Sequence, residues 1–256
     1  MFQFFVNKIA VSDKQVRIED DNFNHMKNVL RMKEGEEFFI SVKKGDADLS
    51  EGGATLEKYI CTLHSYEQDF AICDILSRVE ESNELPCEIT LYQGLPKSDK
   101  MEMIIQKAVE LGVTKIVPVA MEFCIAKLED KKAKSKVDRW NAIAEAAAKQ
   151  SKRDVIPTVE MPIAFRDCID EITKLDVGLL PYEHSDGMDR TRRVINNIKQ
   201  GDRVGILVGP EGGFSKKEID HALSKQIEVI TLGKRILRAE TASLSILSMI
   251  GYVIEG

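Results

Sequence analysis

The sequence predicts an α/β protein in two parts: a small β-barrel over residues 1–76 and a largely parallel, helix-covered sheet over 87–256. Three observations predict it. The first part consists of short apolar stretches separated by polar, glycine-containing segments, the rhythm of strands and turns. From Cys87 onward the pattern alternates between strand-like apolar runs and helical periodicity, which implies a parallel sheet covered on both faces. Between them, 77–86 carries charge without apolar periodicity and ends at Pro86, as a linker would.

In the first part the strands are expected at Phe2–Val6, Phe38–Val42, Tyr59–Leu63 and Phe70–Ile75, with a polar turn segment over Lys43–Gly53. Phe2, Phe4, Phe5, Val6 and Ile9 give the chain an apolar start. One helix is expected over Asn22–Leu30, where Phe23, Met26, Val29 and Leu30 fall at helical spacing. In the second part, strands are expected at Glu88–Leu95, Lys115–Val119, Val177–Leu180, Arg203–Val208 and Glu228–Thr231. Helices are expected at Lys100–Leu111, Val137–Gln150, Phe165–Ile172, Arg190–Asn197, Lys216–Lys225 and Thr241–Ile254.

Composition narrows the class. With 43% hydrophobic and 30% charged residues, the 256-residue chain reads as an ordinary globular protein. No apolar run approaches a membrane span, and Met1 to Lys14 lacks the basic start, apolar centre and cleavage site of a secretory signal. A cytoplasmic location is expected. The five cysteines (Cys61, Cys73, Cys87, Cys124, Cys168) include no CxxC pair, and the four histidines include no HxxxH. Neither structural zinc nor a disulfide framework is expected, and the cysteines read as buried and inert. The net charge of −6 is unevenly spread. Residues 1–72 hold 9 basic against 13 acidic side chains, whereas 127–153 hold 9 against 4, and further cations cluster at Arg190, Arg192 and Arg193 and at Lys234, Arg235 and Arg238. A polyanion could therefore lie on the C-terminal part, although a solvated helix face is the better reading of 127–153 alone.

Ligands of parallel sheets bind beyond the carboxyl ends of the strands, and three such ends are rich in signal. The apolar run from Gly205 to Val208 enters a loop with Gly209, Gly212 and Gly213, followed by a helix that Ser215 opens. Ser215 and Glu218 have the spacing of a capping box. The glycines allow close backbone approach to a ligand and leave amides free to donate. The GxGxxG spacing of a dinucleotide site is absent, and Glu211 stands where a pyrophosphate would be repelled. At the second strand end, Gly233 marks a loop in which Arg238 and Glu240 precede a helix of small and apolar residues. The third is Gly178–Glu183.

Together, GPEGGFS, LGKRILRAETA and LLPYE resemble the cofactor loops of the SPOUT methyltransferases. They are most similar to the RsmE family, which methylates N3 of a uridine in 16S ribosomal RNA. QGLPKSDKMEMIIQKAVELGVTKIVPV and RWNAIAEAAAKQSKRDVIPTV resemble that family's catalytic domain, and HMKNVLRMKEGEE its PUA-like RNA-binding module, so the likeness covers nearly the whole chain. The resemblance implies a PUA-like barrel over 1–76, a linker over 77–86 and, over 87–256, a SPOUT domain with a C-terminal trefoil knot. A knot is something general topology rules would not predict. It also implies S-adenosylmethionine as cofactor, 16S ribosomal RNA or the small subunit as partner, and a homodimer packed through the last helix.

The donor is then expected on Leu180 and Pro181 of one loop, and on Leu207, Val208, Gly209, Pro210, Glu211, Gly212 and Gly213 of another. The third loop would contribute Leu232, Gly233, Ile236, Leu237 and Arg238, with Thr241 and Ala242 from the helix that follows. Arg238 would favour the developing uracil anion or orient a phosphate, and Glu211 or Glu240 would position the donor or take up the proton. RNA contacts are expected from His25, Arg31, Lys97, Gln150 and Arg153. The chain departs from the family pattern at Gln3 and at Phe123, each of which stands where an arginine is usual.

Three other readings compete. A nucleotide-dependent oxidoreductase needs an acidic ribose-binding residue about twenty residues beyond the glycines; Glu228 is near that distance, but the remaining spacing is wrong. A non-catalytic RNA-binding or assembly factor would keep the fold without binding donor, whereas a SPOUT methyltransferase acting on another RNA site would keep the donor loops.

Overall fold

The computed structural model describes residues 1–6, 14–43, 56–80, 82–97, 100–125, 130–183 and 187–255. Ile9, most of the Lys43–Gly53 turn segment, Glu81 of the expected linker and the Lys127 end of the basic run lie outside the described residues. The chain forms two compact units, Met1–Glu84 with Lys149–Ile156, and Leu85–Ala148 with Pro157–Gly256.

In the first unit, β1 (Gln3–Val6), β2 (Gln15–Ile18), β3 (Glu37–Lys43), β4 (Leu56–Tyr66) and β5 (Ala71–Val79) form one sheet in the order β1-β3-β4-β5-β2. β1 pairs parallel to β3, and the other pairs are antiparallel. Phe38, Ile40 and Val42 alternate into a core with Phe4, Val16, Ile18, Met26 and Leu63, the period of two that half-buried strands require. Strand β2, four residues with only Val16 and Ile18 buried, gives too brief an alternation to stand out in sequence. The expected helix over Asn22–Leu30 is α1 (Asp20–Asn24) continued by a π-helical segment, His25–Val29. β5 runs to Val79, into the segment that the sequence reads as linker.

Segment 149–156 is tied into this unit by buried polar groups. The Glu84 carboxylate accepts the Arg153 guanidinium and the amides of Asp154 and Val155, at 2.8 and 3.1 Å. Asp154 accepts the Asn83 amide at 2.9 Å and faces Lys58 Nζ at 3.2 Å. Gln3 donates to Ser41 Oγ and to the Arg153 carbonyl, at 2.8 and 3.1 Å. Charges can be held out of water only when they are paired and hydrogen-bonded in this way.

The second unit is built on a parallel sheet of order β12-β10-β11-β6-β7-β8, with β9 paired to β7. Its strands are β6 (Glu88–Gly94), β7 (Lys115–Ala120), β8 (Thr158–Val159), β9 (Ile163–Ala164), β10 (Val177–Pro181), β11 (Arg203–Val208) and β12 (Glu228–Ile230). Its helices are α2 (Lys100–Glu110), α3 (Asp130–Ser151, which ends in the first unit), α4 (Phe165–Ile172), α5 (Met188–Asn196), α6 (Lys216–Ser224) and α7 (Ala239–Ile254). β11 is buried at five of its six positions, with no alternation, because both faces of the sheet are covered. α7 packs against α2, α5 and β11. The short β8 and β9 were not expected from sequence; two residues carry no period.

Candidate functional site

The registers bring four strand ends level. Gln93 of β6 lies beside Val208 of β11, and Pro181 of β10 beside Ile230 of β12. The chain beyond β10, β11 and β12 therefore emerges on one side of the sheet and encloses a cavity of about 590 Å³. This is within the range of small-molecule sites, roughly 300–1,000 Å³. Of the residues expected to hold a donor, Pro181, Val208, Gly209, Pro210, Glu211, Gly212 and Gly213 line it, as do Leu232, Gly233, Ile236, Leu237, Arg238 and Ala242. Leu180 and Leu207 stand behind the lining, fully buried in the sheet core. Thr241 is exposed on α7, and Glu240 adjoins the cavity through Lys100. The lining also includes Lys100, Tyr182, Glu183, Phe214, Thr231, Arg235 and Ala239, which the sequence reading did not select.

Each wall has a local cause. Ser215 caps α6, its side chain accepting the Glu218 amide while Glu218 accepts that of Ser215 at 2.8 Å, the capping box expected from sequence. Glu218 also accepts the Glu122 amide at 3.0 Å, fastening residues 121–124 to the same loop. Gln93, fully buried, donates to the Gly209 carbonyl at 3.4 Å and accepts from Ser243 Oγ at 2.6 Å, which joins the loop after β11 to α7. Thr191 of α5 clamps the end of β12: its hydroxyl donates to the Thr231 carbonyl at 2.8 Å and accepts the Thr231 amide at 3.2 Å. Among these supports only the capping box has a local signature; the rest are long-range pairs of ordinary residues.

Glycine is required where backbone meets backbone. A Cβ at Gly94 would stand 2.6 Å from both the backbone nitrogen and Cδ of Pro210. Gly94→Ala is therefore expected to push the loop after β11 away and to cost about 1–3 kcal/mol, the scale of an overpacked core. A lowered urea midpoint with an unchanged slope checks this. At Gly213 and Gly233, φ is +69° and +120° and nothing lies within 4 Å of where a Cβ would stand. Both line the cavity, so backbone faces open space that a ligand could fill.

The cavity's charged groups have unequal partners. Glu211 accepts the Lys97 amide at 3.1 and 3.3 Å and pairs with Lys100 Nζ at 3.1 Å. Burial raises its pKa, but the backbone hydrogen bonds and Lys100 outweigh this and hold it below the usual carboxylate value. The hydrogen bond to Glu211 correspondingly raises the Lys100 ammonium. Arg238 is the exposed N-cap residue of α7, and its guanidinium has no ion-pair or hydrogen-bond partner among the described residues.

The expected RNA contacts fall in different settings. His25 and Arg31 are exposed on the first unit, with the His25 ring edge-on to Phe4 at 6.1 Å. Gln150 is exposed on α3, and Lys97 is exposed beside the cavity. Arg153 is a correction: it is 3% exposed and its guanidinium is taken up by Glu84, so it is a buried partner rather than a surface cation. Of the two departures from the family pattern, Gln3 is turned inward to Ser41. Phe123 lies against Gly212, where a Cβ would come within 2.7 Å of the Phe123 Cβ. Cys61, Cys73, Cys87 and Cys168 are buried, and burial raises their thiols, to about 12 for Cys61 and Cys73 and about 11 for Cys87. Among the described residues no group of His, Cys, Asp or Glu could hold a metal ion.

Comparison with known proteins places this site in context. A family model described as RNA methyltransferase domain matches residues 83–251, and one described as RNA methyltransferase PUA domain matches 18–47. The chain is 34% identical to the ribosomal RNA small subunit methyltransferase E of Bacillus subtilis over 93% of its own length and 90% of the relative's. It is 31% identical to that of Aquifex aeolicus, over 87% and 94% of the two chains. A crystal structure of the Neisseria gonorrhoeae ribosomal RNA small subunit methyltransferase E bound to S-adenosyl methionine superposes with a TM-score of 0.76. That pair is 31% identical, and 97% and 96% of the two chains are covered.

Proposed function

Because the chain belongs to the ribosomal RNA small subunit methyltransferase E family, we propose that it methylates N3 of a uridine in 16S ribosomal RNA. S-adenosylmethionine is the donor. The observation that carries this reading is the cavity formed by three loops, two of them glycine-bearing, at the carboxyl ends of adjacent parallel strands. The residues present fit the donor. Leu232, Ile236 and Leu237 offer apolar surface, and Gly213 and Gly233 leave backbone open. When bound, the donor supplies an electrophilic methyl group on sulfonium.

The chain's own part is alignment and charge. An in-line displacement gains most from holding donor and acceptor in register, which the supports from Gln93, Ser243 and Thr191 secure. Uracil N3 must lose its proton. Arg238, unpaired among the described residues at the N-terminus of α7, puts a guanidinium and the positive end of a helix dipole where an anion can be favoured. Glu211 makes a poor proton acceptor because its pKa is lowered and both oxygens are engaged; its role is to hold the loop. Of the two carboxylates expected to take up the proton, Glu240 is left, with solvent as the other outlet. The target base must leave its stack to expose N3, and the exposed His25, Arg31, Lys97 and Gln150 are proposed to hold the RNA, with Arg153 acting only through the segment it anchors.

Calorimetric titration with S-adenosylmethionine, followed by methyl transfer to small ribosomal subunits lacking the modification, tests the reading. One donor per chain and label at uridine N3 are expected. A folded protein that binds no donor would leave the non-catalytic RNA-binding role, and label elsewhere would redirect the enzyme to another RNA site.

The order β12-β10-β11, in which the last strand returns across β10, is compatible with a C-terminal trefoil knot. No helix among the described residues is long and apolar enough to cross a membrane, and the proposed location is the cytoplasm. The chain is proposed to dimerise through α7, where Tyr252 is 85% exposed. Light scattering should then give twice the 28.8 kDa chain mass, and Tyr252→Glu should shift it toward the monomer; a monomeric wild type would end this part of the proposal.

A further inference from the structure

Lys100 opens α2, and its ammonium is where three separate pieces of chain meet. Nζ lies 3.1 Å from Glu211 Oε1, in the loop after β11, and 3.5 Å from Glu240 Oε2, in the first turn of α7. From the same side, the Lys97 amide reaches Glu211. The Glu240 Oε2 atom is shielded from solvent and accepts no hydrogen bond among the described residues, so Lys100 is the charge that answers it. Without that ammonium, two carboxylates would converge on one spot beside the cavity, and like charges so placed repel. Of the other charged lining residues, neither Arg235 nor Arg238 is within ion-pair distance of either carboxylate among the described residues.

We propose that Lys100 is a positioning residue for methyl transfer: by holding Glu211 and Glu240 together it locks the loop after β11 to the start of the helix that Arg238 caps. The inference rests on the donor-binding reading of the cavity. It assigns Lys100 to assembly of the donor site before RNA arrives, and separates it from the surface cations that would meet phosphates.

The test is donor affinity of the full chain, measured calorimetrically without RNA, for wild type, Lys100→Met, Lys100→Arg, and Lys100→Met combined with Glu240→Gln. Lys100 is partly exposed, so the variants are expected to fold, and circular dichroism checks each. Lys100→Met should weaken S-adenosylmethionine binding roughly tenfold, the scale of one lost charge-assisted contact. Lys100→Arg should stay within about threefold of wild type, since the charge persists on a differently shaped group. Adding Glu240→Gln to Lys100→Met should recover most of the loss, because the repulsion goes with the second charge; a mere packing role would show no such rescue. Unchanged donor affinity in Lys100→Met, with or without a raised KM for RNA, would overturn the inference while leaving the donor reading intact. A wild type that binds no donor would instead remove that reading, and this inference with it.

Discussion

Gly212→Trp is expected to abolish measurable donor binding, a loss of at least about 100-fold, which corresponds to roughly 2.8 kcal/mol. The effect begins with the first added atom. A Cβ at Gly212 would come within 2.7 Å of the Phe123 Cβ and 3.4 Å of its carbonyl oxygen, so either residues 121–124 or the loop after β11 must move. Neither is free to do so, because Glu218 ties both together through the amides of Ser215 and Glu122. The indole must then take space from the cavity that Gly212 lines. Calorimetry with S-adenosylmethionine, beside a circular dichroism spectrum of the folded variant, checks the outcome; wild-type affinity in a folded Gly212→Trp protein would move the donor elsewhere.

Arg238→Ala should produce the opposite division of effects. Turnover is expected to fall about 10²–10³-fold, the range for removing one preorganised group that favours developing charge. Donor affinity should change little, because the backbone around residues 232–237 and the loop after β11 remain in place. The guanidinium has no ion pair or hydrogen bond to lose among the described residues, so the fold should be nearly as stable as wild type. Single-turnover methyl transfer with saturating donor separates the step from binding. Full turnover in a variant that binds donor would take the anion-stabilising role away from Arg238.

The two variants differ in how readable their positions are in sequence. Gly212 and Arg238 sit in segments whose residue types announce a site: a glycine cluster after a buried strand, and a cation before a helix of small residues. Gln93, Thr191 and Ser243 announce nothing. Gln93 reads as the polar end of a strand and Ser243 as one small residue among several in α7. Yet they are 150 positions apart and share a buried hydrogen bond of 2.6 Å. Lys100 reads as a solvated first-turn lysine until the registers bring Glu211 and Glu240 to it. Arg153 is misread for the converse reason: in a basic stretch a single cation resembles its neighbours, and its burial depends on Glu84, 69 positions away.

What the sequence determined by itself is what short-range physics controls. The period of two and the helical spacing set most strands and helices. The serine and glutamate of the capping box set the start of α6, and the glycines mark where backbone must bend or approach closely. The loop motifs add the family and the kind of ligand. What only the tertiary structure decided is everything that depends on which strands lie side by side. This includes the level ends of β10, β11 and β12 that enclose the cavity, the buried glutamine that joins its walls, and the return of 149–156 to the first unit. A hydrogen bond or ion pair between distant positions leaves no periodic trace along the chain, because its residues are selected by a neighbour that folding alone supplies.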